Sequence, residues 1–106
     1  MSILIVNVLH EADGLCFVLD GRIDATNAGS FRDAVSSALS GHDEESIVID
    51  CEKLAYLSSL GLRELLRLRK NFKGTMNLVN VSRAVRSILD MSGFSQIFDV
   101  SGGNDS

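Results

Sequence analysis

The chain contains no tryptophan and a single tyrosine, Tyr56. Few aromatic platforms are therefore on offer for stacking single-stranded nucleic-acid bases. An excess of positive charge is missing as well, since 10 Lys and Arg face 14 Asp and Glu for a formal charge of -4. An acidic balance of this kind provides no general polyanion-binding surface, so nucleic acid is not an expected partner. The only histidines, His10 and His42, have no neighbouring Cys or His. The two cysteines, Cys16 and Cys51, are far apart and form no metal motif. Metal sites need clustered ligands, so no metal is expected. Each cysteine lies in an apolar run, where a small thiol reads as core packing, and nothing calls for a disulfide.

No apolar run approaches the ~20 residues that a membrane span requires. The start, Met1 to Val6, has neither the basic residues nor the small-residue cleavage site of a signal peptide. These absences predict a cytoplasmic protein without direct membrane insertion. Gly-rich phosphate loops and dinucleotide fingerprints are also lacking. Ser59 is not in a Gly-x-Ser-x-Gly elbow, and no spacing joins it to a histidine and an aspartate as a triad. Asp13, Asp20, Asp24, Asp50 and Asp90 fall at turns and element ends, where short carboxylates are common. No cofactor and no enzymatic activity are expected.

What remains is a globular balance, 45% apolar and 23% charged over 106 residues, which is one domain's worth of chain. Runs at Ile3–Leu9 and Leu15–Leu19 flank a turn at Glu11-Ala12-Asp13-Gly14 and predict an antiparallel hairpin. Gly21 to Ser30 reads as a small polar loop. Phe31, Val35 and Leu39 form one helical stripe that Gly41 stops, and an acidic loop, His42 to Glu45, follows. Ser46 to Asp50 is apolar on consecutive residues, as in a strand buried on both faces of a helix-covered sheet. Leu60, Leu65, Leu66 and Phe72 make a second helix that Gly74 ends. Its other face carries Arg63, Arg67, Lys70 and Lys73, either a solvated face or a surface for a partner.

Met76 to Val81 is a further strand, and Ser82 is the expected N-cap of a third helix carrying Val85, Ile88 and Leu89 up to Gly93. Phe94 to Val100 reads as a helix turn or an edge strand. The order β-β-α-β-α-β-α predicts an α/β fold with a mixed sheet of four to five strands and a parallel, right-handed crossover between the third and fourth. A single domain is expected over residues 1–100, with a loose polar tail at 101–106.

The most informative stretch is Tyr56-Leu57-Ser58-Ser59-Leu60-Gly61-Leu62, where the strand pattern gives way to the helical one. Helix starts leave backbone N–H groups unpaired and carry positive partial charge. A serine there caps the helix or, if exposed, can accept a phosphate. Gly61 in a first turn costs roughly 1 kcal/mol against Ala, so a close approach or a partner must compensate. Leu60 and Leu62 flank Gly61, and either one faces outward or both pack inward.

Three segments together resemble the STAS domain, the fold of bacterial anti-sigma factor antagonists and of the cytoplasmic tails of sulfate transporters. They are Gly21-Arg22-Ile23-Asp24-Ala25-Thr26-Asn27-Ala28; Ile47-Val48-Ile49-Asp50 with Leu54 to Arg63; and Asn80 to Leu89 with Gly93-Phe94. They span roughly residues 3–98 in the family's order. The resemblance implies helices packed mainly on one face of the sheet. It implies a hydroxyl protein that docks on a serine-kinase-type anti-sigma factor and is switched off when that kinase phosphorylates Ser59, with a phosphatase to reset it. It places Asp24 near the acceptor and gives a partner surface of Asp24, Thr26, Asn27, Ser58, Leu60, Gly61 and Leu62. Leu60 departs from the family pattern, which usually has Ser, Thr or Ala there. Two other readings stay open: an unphosphorylated STAS subunit of a membrane ABC (lipid) transporter, and a small enzyme or ligand-binding protein that shares only the architecture.

Overall fold

The computed structural model describes residues 3–12, 14–40, 46–93 and 99–102. The chain runs β1 (Leu4–His10), β2 (Gly14–Ile23), α1 (Ala28–Leu39), β3 (Ser46–Leu57), α2 (Ser59–Asn71), β4 (Thr75–Val81), α3 (Arg83–Met91) and β5 (Asp99–Gly102). The strands lie in spatial order β1-β2-β3-β4-β5. β1 and β2 form the expected antiparallel hairpin, with Leu4 opposite Gly21 and His10 opposite Leu15. β2 with β3, β3 with β4 and β4 with β5 are parallel.

Strand alternation builds the core. Leu15, Phe17 and Leu19 of β2, Ile47, Ile49 and Cys51 of β3, and Met76 and Leu78 of β4 point to one face. Phe31 and Val35 of α1, Leu62 and Leu65 of α2, and Val85 and Leu89 of α3 join them in one cluster. Each such buried Leu, Ile, Val or Phe contributes about 1.5–3 kcal/mol of apolar burial. All three helices bury their stripe in that cluster, so they cover one side of the sheet. Val48 and Asp50, expected to be fully buried, are only half-buried on the other side. Flanking strands shield them laterally, but among the described residues no helix stripe lies over them.

β2 is longer than the sequence pattern indicates. Gly21, Arg22 and Ile23, read as loop, continue the strand. Gly21 makes this possible: its φ is 122°, and a Cβ there would stand 2.1 Å from the Ile3 carbonyl oxygen. β3 also runs on to Leu57, beyond its pairing with β4, which ends at Asp50–Val79. The register against β2 slips twice, between Val18 and Asp20 and between Gly21 and Arg22. Each slip adds one residue to β3, and each extra residue shifts the inward phase. The inward residues after Cys51 are therefore Leu54 and Leu57, three apart. β2 and β3 thus run on together past the end of the β3–β4 pairing, carrying the next loop and helix start at their tip.

Ser82 caps α3 as expected, accepting from the Val85 N–H at 3.2 Å. β5 includes Ser101 and Gly102, so the sheet extends past residue 100 into the expected tail. The acidic loop at 41–45, the segment 94–98 and the last residues, 103–106, lie outside the described residues.

Candidate functional site

Parallel strands bring their C-terminal ends to the same side of a sheet, where ligands and partners commonly meet α/β folds. Here Ile23 ends β2 opposite Leu57, which ends β3. The Ser58 N–H then donates to the Ile23 carbonyl at 2.8 Å. Asp24 follows one end of that bond and Ser59 the other. The Asp24 loop and the start of α2 are therefore held side by side by the backbone.

The two serines divide the work of the junction. Ser58 is the N-cap: its Oγ accepts from the Gly61 N–H at 3.2 Å, and its carbonyl accepts the Leu62 N–H at 2.9 Å. Ser59 is the first helical residue and is exposed. Its hydroxyl makes no hydrogen bond to a described residue, because its neighbour has taken the capping role. Unpaired first-turn N–H groups and the positive end of the helix lie beside it, and no acidic residue occupies that turn.

The loop before α1 is pre-organised by its own side chains. Asp24 Oδ1 accepts from both the Thr26 N–H at 2.9 Å and the Thr26 hydroxyl at 2.6 Å. Asn27 precedes α1 but does not cap it. Its side chain turns back instead, with Oδ1 accepting from the Asp24 N–H and Nδ2 donating to the Arg22 carbonyl, both at 2.9 Å. Thr26 is exposed, while Asp24 and Asn27 are half-buried.

The STAS domain family matches residues 5–103. The chain belongs to that family. Its likeness to BtrV of Bordetella bronchiseptica, named as a candidate anti-sigma factor antagonist, is 30% identity over 101 residues, covering 92% of this chain and 86% of that one. The STAS fold is shared with the crystal structure of an anti-sigma factor antagonist from Mycobacterium paratuberculosis, at TM-score 0.86 and 20% identity, over 97% of this chain and 89% of that one. It is shared too with the Bacillus cell fate determinant SpoIIAA in its phosphorylated form, at TM-score 0.65 and 21% identity, over 92% and 90% of the two chains.

Within this STAS domain the leucines separate. Leu60 is 37% exposed beside Ser59, whereas Leu62 is 5% exposed and packs in the core. Leu62 and the buried Gly61 thus support the surface from beneath. The compensation that Gly61 requires is a close approach by side chains: a Cβ would lie 2.7 Å from both Ile23 Cγ2 and Leu57 Cδ1.

Sequence reasoning missed two features near the site. Arg22 lies with its guanidinium 4.7 Å from the centroid of the Tyr56 ring, an exposed cation–π pair at the tip of β2 and β3. Only the register slips make these two residues neighbours, so spacing carried no signal. Glu64, on α2, is 8% exposed and has Arg67 Nη1 at 3.3 Å and Arg32 Nε at 4.0 Å. An acid inside a run of leucines and arginines was the available signal.

The cysteines are poor candidates for chemistry. Burial, then the Asp50 carboxylate, pushes the Cys51 thiol up to about 12. The Cys16 thiol is also raised, by burial first and then by Asp50 and Glu11. The thiolate is the reactive form, so both are held inert. Among the described residues no group of three or more His, Cys, Asp or Glu could hold a metal ion. Nor is any described helix long and apolar enough to cross a membrane.

Proposed function

We propose that this STAS domain is an anti-sigma factor antagonist switched by phosphorylation of Ser59. The unmodified form docks on an anti-sigma factor that is also a serine kinase. Docking displaces the sigma factor, the kinase phosphorylates Ser59, and the modified form is released until a phosphatase restores it. The observation that carries this reading is the division of labour at the junction: Ser58 holds the cap, leaving Ser59 exposed and uncommitted beside the Asp24 loop.

The physics agrees with a switch. A phosphate adds about 1.5 to 2 negative charges. At the first turn of α2 those charges meet unpaired N–H groups and the helix dipole, so the fold loses little. Arg63, four residues on and exposed, stands on the same helix face as a further counter-charge. At a docked interface the same phosphate must be desolvated near Asp24, a like charge, and that opposes docking. The docking surface comprises Asp24, Thr26, Ser58, Ser59 and Leu60, with Asn27, Gly61 and Leu62 holding it in shape. The names of similar proteins support the reading: antagonists recur among them, and SpoIIAA is described in a phosphorylated form.

Labelled ATP and the kinase-type anti-sigma factor encoded nearest the gene provide the test. Transfer of label to the native chain but not to Ser59→Ala is the expected result. A stable complex with transporter ATPase subunits and no transfer from any cognate kinase would favour the transporter reading instead.

A further inference from the structure

A second site lies at the other end of α2. α1 and the C-terminal half of α2 flank a cavity of about 560 Å³, within the roughly 300–1,000 Å³ range of small-molecule pockets. Its floor is Phe31 and Val35, both buried, and its walls are the half-buried Leu39, Leu68 and Phe72. The polar lining residues Ser36, Ser40 and Asn71 are all exposed, so they stand at the mouth. An occupant therefore needs apolar groups against the helices and polar groups toward the mouth.

The charge at the mouth selects the sign of those polar groups. Arg32, Arg67 and Lys73 line the cavity, and among the described residues no acidic one does. Glu64 and Asp33 pair with the two arginines from outside the lining. Among the described residues there, three cations against two carboxylates leave one net positive charge, in a chain whose total is -4. Each guanidinium has five N–H donors in a fixed fork, and both arginines are about half exposed, so donors remain for a ligand. Arg69 Nη1 donates to the Gly74 carbonyl at 2.9 Å and pins the turn that carries Lys73 to the rim.

We propose that this cavity binds a small amphiphile with an aliphatic body and a single carboxylate head, such as a free fatty acid. Its chain fills the apolar space between α1 and α2, and its head meets Arg32, Arg67 and Lys73. The lining residues of α2 begin at Arg67, eight residues past Ser59, or about 12 Å along a helix. Occupancy therefore does not require Ser59, and its test is independent of phosphorylation.

The probe is sodium decanoate below its micelle-forming concentration, titrated into the full chain and followed by amide chemical shifts. Saturable shifts are expected around Val35, Leu39 and Leu68. Lys73→Glu, at an exposed position, should weaken binding about fivefold or more. Ser36→Phe, also exposed, should fill the mouth and abolish it, with the native far-ultraviolet spectrum kept in both variants. Decanol, which lacks the charge, and inorganic phosphate, which lacks the chain, should each bind more weakly. Absent shifts, shifts confined to Ile5 and Leu9 on β1, equal binding by decanol or phosphate, or an affinity unchanged in both variants would overturn the proposal.

Discussion

Gly61 rests directly on Ile23: a Cβ at position 61 would lie 2.7 Å from the Ile23 Cγ2 atom. The first turn of α2 is thereby seated on the tip of β2, and the exposed Ser59 is placed relative to the Asp24 loop by that contact. Gly61→Ala should gain about 1 kcal/mol of helix propensity but cost about 1–3 kcal/mol in overpacking. The second effect wins, because Ile23 and Leu57 are buried and have no free side to move toward. We expect a lower urea midpoint with an unchanged slope. A raised midpoint would show that the contact is slack.

The two serines should separate by experiment. Ser58→Ala removes the cap and should cost about 1 kcal/mol of stability. Ser59→Ala touches no described hydrogen bond and should stay within about 0.5 kcal/mol of the parent. Phosphate transfer should be lost in Ser59→Ala, and weakened without being lost in Ser58→Ala, which keeps the acceptor hydroxyl. Thermal unfolding and kinase labelling of the two variants side by side measure both quantities. Equal stability losses would remove the assignment of Ser58 as the sole cap.

Ser59→Asp places a carboxylate at the first helical position, where the dipole favours it by about 0.3–1 kcal/mol. The fold should be as stable as the parent or slightly more so, while binding to the anti-sigma factor weakens. Isothermal titration with far-ultraviolet dichroism checks the pair of outcomes. Full affinity with an intact fold would count against the switch.

The Cys51 thiol gives a stability signature at high pH. In the folded chain it keeps its proton until about 12, against a reference value of 9.0. Above pH 9 the unfolded chain has therefore lost a proton that the folded chain still holds, and stability must fall as pH rises. Its contribution is full below pH 9 and declines from there toward about 12. Denaturant midpoints measured across that window should fall in the parent and fall less steeply in Cys51→Ala. In the native state neither Cys16 nor Cys51 should react with a maleimide at neutral pH.

Local rules made the hairpin, three helices and the strand from Ser46 legible, because alternation, four-residue stripes and glycine stops each speak within a few residues. Ser82 as a cap was visible for the same reason. The lengths of β2 and β3 were not, since Gly21, Arg22 and Ile23 have loop-like neighbours, and long-range pairing, with β3 and at Gly21 also with β1, draws them into a strand. Gly102 likewise enters β5 by pairing with Val81 of β4, a long-range event that a polar sequence conceals.

The sequence by itself determined that a serine pair stands where a strand hands over to a helix, and that the surrounding motifs are those of a STAS domain. Tertiary structure alone decided which serine caps, which leucine faces outward, and that Glu64 lies buried between two arginines. Hydrophobic periodicity is a property of neighbouring residues, but the direction of a helix's first turn depends on what it rests upon. Here that support is Ile23 and Leu57, brought together from segments more than thirty residues apart.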